Sequence, residues 1–355
     1  MSAVNTLDNR SQALPVSGKA IGLYVVLALA LAWLVTLPIW LMGIDLSPTL
    51  PAVKETGDPG SGPMPTEEEQ FTQSLVAQAC GVAMMFTPGI AAVITLLVSG
   101  VKFSRVFPLL GASRPVDVPG FGPRVVGNWP YVRRLLMGLV ATFGVSLLIA
   151  LVITIATPVW PANGHTLAHQ SASALGIPLA LFLVLQFAQI PLGAIFNALP
   201  AVGEELGWRG YLYPALTQRF GFMWAVVIGG AIWGLWHAPM IMMGYNFGLF
   251  GLPGVALMMV SCMGLGALFA YLYGASGSIW VPALAHGLFN AAAGITLLFW
   301  PAGTPFNGVI ASALGVWSLV VLLPLGVALV WRVARNSGPA EESGQNDLQT
   351  SGESV

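Results

Sequence analysis

Apolar residues come in long unbroken runs, and polar residues are confined to the gaps between them. The runs lie near 21–44, 75–98, 135–157, 175–200, 223–243, 252–273, 279–300 and 309–331. Each is roughly 20 residues or longer, about the length a helix needs to cross a hydrocarbon core. The pattern therefore predicts an all-α polytopic membrane bundle of about eight transmembrane helices. Pro88 falls inside the second run and predicts a kink, and Pro191 and Pro239 stand in the fourth and fifth. Residues 45–73, 101–134 and 158–173 read as loops, 211–222 as a short connection and 274–278 as a tight turn. Residues 1–19 form a polar tail, 20–174 a first group of membrane helices, 175–300 a core, 301–335 a last helix and 336–355 a disordered tail.

Composition agrees with the pattern. Hydrophobic residues make up 56% of the 355 and charged residues only 8%, too few for an ordinary soluble domain. A formal net charge of −1 gives no field that would recruit nucleic acid, so the implied partner is the lipid bilayer. Cys80 and Cys262 stand in apolar runs, which predicts small core hydrophobes and no disulfide framework. The loop at 101–134 holds Lys102, Arg105, Arg114, Arg124, Arg133 and Arg134 against Asp117, whereas 45–73 is rich in acids. Positive-inside bias places the basic loop, and with it both termini, in the cytoplasm. The acidic pair at 204–205 then falls at the cytoplasmic end of the fourth span. His165 and His169 lie four apart in a loop without Asp, Glu, Lys or Arg and read as solvated histidines.

The chemistry concentrates in residues 201–210, AVGEELGWRG, where Glu204, Glu205 and Arg209 crowd together. Ionisable side chains in such an apolar chain are a functional-site hypothesis by default. On a helix Glu205 and Arg209 are four apart and share a face, while Glu204 is rotated by about 100°. One carboxylate is thus held by a cation and its neighbour is left to accept a proton. The plain alternative is a charged helix end at the membrane surface. WGLWH carries His237, four residues from Trp233, and HGLFN puts His286 and Asn290 on one face. A single intramembrane histidine is often only an interhelical hydrogen bond. Glu204, His237, His286 and Asn290 together would supply a base for water, a proton shuttle and oxyanion donors. Two histidines and a carboxylate also match the ligand count of catalytic zinc, so Glu204, His237 and His286 are the candidate metal ligands. No HExxH and no GxSxG elbow is present.

EELGWR, WGLWH and HGLFN resemble, in order, the EExxxR, FxxxH and HxxxN motifs of the CPBP family. That family groups type II CAAX prenyl endopeptidases with bacteriocin-processing and self-immunity proteins. The resemblance covers roughly residues 175–300. It implies an intramembrane endopeptidase acting on a membrane-associated or prenylated protein or peptide. Glu204 and His237 would activate the water, His286 and Asn290 would form the oxyanion site, and Glu205 and Arg209 would support it. It implies a zinc or a metal-free glutamate mechanism, and a place in the bacterial cytoplasmic membrane. A catalytically idle scaffold or immunity factor is the alternative. Trp233 stands where Phe is usual, and another flat aromatic should serve. One conflict of depth remains: a straight fifth helix would carry His237 roughly 21 Å into the membrane, away from a glutamate at its edge. A longer or re-entrant fourth span resolves it.

Overall fold

The computed structural model describes residues 14–48, 66–122, 127–157 and 165–336. Among these residues the regular structure is helical, and the lone β-bridge pairs Thr166 with Pro301. Helix α1 is Gly18–Leu41, α2 Glu67–Val98, α3 Phe103–Leu109, α4 Asn128–Ala156 and α5 Leu167–Ala174. Then come α6 (Leu179–Ala188), α7 (Ile190–Gly207), a π-helical turn (Trp208–Leu212), α8 (Tyr213–Phe220) and α9 (Phe222–Trp236). The bundle closes with α10 (Leu252–Ser276), α11 (Trp280–Ala292) and α12 (Leu319–Asn336). The chain is an integral membrane protein: seven of its helical segments are long and apolar enough to cross a bilayer.

The expected loop at 101–134 contains α3 and the first residues of α4, and three further sequence expectations change. The fifth expected span is α9, only 15 residues and short of a crossing. It stops at Trp236, and the single turn Ala238–Ile241 restarts with Pro239 in its first positions. Residues 211–222, expected as a connection, are helical up to Phe220, so that Leu179–Phe220 forms a helical run of 42 residues. Glu204 is therefore not at a helix end. Sixteen residues, or ~24 Å of rise, separate it from Phe220. His237 ends a 15-residue helix that starts beside Phe220, so the two sites reach the same level. The long fourth element thus removes the conflict of depth. Third, α2 takes in Glu67, Glu68 and Glu69, which the sequence assigned to a loop. Thr66 and Glu69 form a capping box there, and three acids suit the positive end of the helix dipole. At the 158–173 loop, residues 165 onward are described. Thr166 starts α5, and His169 Nδ1 accepts from the Thr166 amide at 3.3 Å, so His169 is a capping residue.

Helix α7 is clamped between α2 and α11 at small residues. A Cβ on Gly207 would lie 2.4 Å from the carbonyl carbon and oxygen of Pro88, and one on Gly287 would lie 2.4 Å from Ala194 O. Backbones touch at both crossings, the packing mode open to helices that meet in lipid. The contacts fix the rotation of α7 and with it the directions of Glu204 and Glu205. Cys80 and Cys262 are free and buried, as expected of core thiols.

One end of the bundle gathers the beginning of α1, the segment after α2, and the C-terminal ends of α8, α10 and α12. Tyr211 Oη donates to Pro15 O at 3.0 Å, and Arg332 Nε donates to Tyr271 Oη at 2.8 Å. Phe121 packs edge-on against Phe222 and Tyr271, with ring centroids at 5.3 and 5.9 Å. Val116 N donates to Gly277 O at 2.8 Å. The expected placement of both termini concerns residues that lie outside the described ones.

Candidate active site

The catalytic-type side chains come from α7, α9 and α11, and they share one cavity of about 520 Å³. Glu204, His237, His286 and Asn290 all line it, together with Trp233 and Tyr245.

The two neighbouring glutamates have different surroundings. Glu205 is fully buried, and its Oε1 accepts from Arg209 Nη1 at 2.9 Å and from His286 Nδ1 at 2.9 Å. The Arg209 pair is the i, i+4 contact that the spacing predicted. Arg209 is itself 0% exposed and sits among rings, 4.3 Å from the centroid of Trp233, 5.1 Å from Phe269 and 5.2 Å from Tyr213. Cation–π attraction stands in for water around this guanidinium, whose Nε and Nη2 have no hydrogen-bond partner.

Glu204 is 2% exposed and has no cation against it. Its Oε2 accepts from the indole N–H of Trp233 at 2.8 Å and of Trp208 at 3.3 Å. Both donors use the same oxygen, which leaves Oε1 to the cavity. The π-helical turn begins at Trp208. Such turns often mark functional sites because they re-aim side chains within a helix.

The two histidines are held in defined tautomers. His237 Nδ1 lies 2.8 Å from Trp233 O, a carbonyl that can only accept, so Nδ1 carries the proton and Nε2 is the free nitrogen. His286 Nδ1 faces the Glu205 carboxylate, which likewise turns Nε2 to the cavity it lines. Its ring stacks on Phe269 at 5.1 Å and meets Trp233 edge-on at 5.6 Å. Asn290 stands one turn beyond His286 on the same helix, in the cavity wall.

The donor set does not suit zinc. Among the described residues no three His, Cys, Asp or Glu side chains gather in a metal-holding arrangement. Two indole N–H groups also crowd Glu204 Oε2. Glu204, His237 and His286 as arranged do not fit the metal, and no step below runs through one.

Residues 186–292 match the model of the type II CAAX prenyl endopeptidase Rce1-like family. Over that region the match bears out the resemblance to the CPBP family. A 49-residue stretch is 41% identical to the CAAX prenyl protease 2 of Methanococcus maripaludis, covering 14% of this chain and 18% of that relative. The matched region holds all three motifs, from the acidic pair to Asn290.

Two features of this core are not evident from the sequence. The i, i+4 rule that pairs Glu205 with Arg209 pairs Glu204 with Trp208 equally well, through an indole N–H in place of a cation. Trp233, taken as a flat substitute for Phe, gives Glu204 its shorter hydrogen bond. Phe in its place would keep a ring under Arg209 and lose that donor. A charge-assisted hydrogen bond of this kind contributes about 1.5–3 kcal/mol. Trp233→Phe is expected to lower kcat/KM by roughly tenfold or more and to lower the melting temperature by a few degrees. An unchanged rate would show that Trp208 alone orients Glu204.

Proposed function

We propose that this protein is an intramembrane endopeptidase of the bacterial cytoplasmic membrane, using Glu204 to activate water. The observation that carries the reading is the division of labour between adjacent carboxylates. Glu205 is locked by Arg209 and His286, whereas Glu204 keeps one oxygen toward a cavity shared with two histidine Nε2 atoms and an amide. A charged helix end at a membrane surface has no use for such an arrangement.

In the proposed reaction a water in the cavity gives a proton to Glu204 Oε1 and its oxygen attacks the scissile carbonyl carbon. His237 Nε2 accepts the second O–H of that water and fixes its direction. Negative charge builds on the carbonyl oxygen, where the Asn290 amide donates a hydrogen bond and the His286 ring, held in place by Glu205, completes the oxyanion site. When the C–N bond breaks, Glu204 returns its proton to the leaving amine. A buried carboxylate acting as base and then as acid, with preformed oxyanion donors, accounts for catalysis without a covalent intermediate. The substrate is a membrane-associated protein or peptide, since the cavity is set among apolar helices.

The test is comparative membrane peptidomics of cells with the wild-type protein or Glu204→Gln. The expected result is a set of membrane-protein termini present only with the wild type, and their full-length precursors accumulating with the variant. Identical peptide profiles from equal amounts of the two proteins would favour the idle scaffold instead.

A further inference from the structure

The two ends of the bundle differ sharply in charge. All described Lys and Arg except the buried Arg209 lie at the end defined by the segment after α2 and the last turns of α8 and α12. They are Lys19, Lys102, Arg105, Arg114, Arg133, Arg134, Arg219, Arg332 and Arg335. Asp117 is the described acid there. The opposite end is marked by Leu46, whose amide donates to Met243 O at 2.8 Å, and by Gly308 packed on Asn246 and Phe247. It carries Asp45, Glu67, Glu68 and Glu69, and no described Lys or Arg.

The cavity leads to the acidic end. Leu46, Gln78, Tyr245, Asn246 and Ser312 line it beyond the catalytic-type residues. Gln78 is exposed, and Tyr245 is 38% exposed. Toward the basic end the cavity meets a solid layer. Trp208, Arg209, Tyr211 and Leu212 are all 0% exposed, and Tyr24 from α1 packs its ring at 5.8 Å from Trp208 and 5.0 Å from Tyr211. A peptide entering from the basic end would have to displace these rings.

We infer that the site is served from the extracytoplasmic side, because retention of Lys and Arg in the cytoplasm fixes the closed end of the bundle there. The occupant is then an extended segment of an exported protein or peptide held at the outer face of the membrane. Basic residues on it would suit the acids at that end of the bundle, Asp45 and Glu67 to Glu69, and a lipid-modified C-terminus presented from the cytoplasm would face the sealed layer. The word substrate rests on the proteolytic reading above, but the sidedness of the cavity does not.

Single cysteines decide it in a full-length Cys80→Ser, Cys262→Ala background. A charged, membrane-impermeant thiol reagent is applied to spheroplasts and, separately, to inverted vesicles. Gln78→Cys and Tyr245→Cys at the cavity mouth are expected to label in spheroplasts and to be protected in inverted vesicles. Ser113→Cys in the basic segment is expected to show the reverse. Labelling of the mouth positions from the cytoplasmic face would overturn the inference. Failure of both to label from either face would overturn it as well, since the cavity would then have no open mouth. The labelling needs no enzymatic turnover, so a failed Glu204→Gln experiment and a failed labelling experiment are distinct outcomes.

Discussion

Purified Glu204→Gln protein is expected to fold and melt like the wild type and to turn over substrate slower by a factor of roughly 10² to 10⁴, the usual worth of a positioned acid or base. The substitution keeps the shape of the side chain. A glutamine carbonyl oxygen can still accept from Trp208 Nε1 and Trp233 Nε1, which are the bonds that hold the native side chain. What it removes is the lone basic oxygen facing the cavity. Stability and turnover should therefore separate, with thermal melting in detergent as one readout and single-turnover cleavage as the other. A chelator assayed beside it should leave the wild-type rate unaltered, because the donors around Glu204 do not form a metal-holding set. Wild-type cleavage by Glu204→Gln would end the assignment of this residue whatever the chelator does.

The apolar runs made the helices legible, because a run of roughly 20 apolar residues leaves few alternatives to a spanning helix. Where the reading went astray, the residues were ambiguous for identifiable reasons. Residues 223–243 look like one span because Ala238, Pro239 and Met240 are as apolar as α9, and composition does not register the break at His237. Residues 211–222 look like a connection because Pro214, Gln218 and Arg219 interrupt the hydropathy. Yet Pro214 occupies one of the first positions of α8, where a proline costs a helix little, and the helix continues. Within the site, local spacing revealed what is local. Glu205 and Arg209 are four apart, and the sequence alone fixed them as partners. His286 is 81 residues from Glu205, and Trp233 is 29 from Glu204, so both contacts depend on how α9 and α11 dock against α7. That docking is set by backbone contact at glycines such as Gly207 and Gly287, whose partners no spacing rule identifies.

Arg209→Ala is expected to destabilise the protein by about 3–5 kcal/mol, the cost of removing one member of a buried ion pair, and to abolish activity with it. Arg209 and Glu205 are both 0% exposed, so water cannot enter to replace the lost partner. The truncation also empties the space between Trp233, Phe269 and Tyr213, and Trp233 is one of the two donors that orient Glu204. The same physics predicts a rescue. Replacing both charges with neutral groups of similar shape avoids the unpaired carboxylate, and such exchanges are often close to neutral in stability. Arg209→Met with Glu205→Gln fills the aromatic cage with a flexible apolar side chain and leaves a carbonyl oxygen to accept from His286 Nδ1. The double variant should regain most of the melting temperature lost by Arg209→Ala. It should remain much slower than wild type, because a neutral amide holds the His286 ring in its orientation less firmly than the carboxylate does. Full recovery of both stability and turnover would show that the pair only holds the fold. An Arg209→Ala protein with unchanged melting temperature but no activity would instead give the guanidinium a direct part in binding or catalysis.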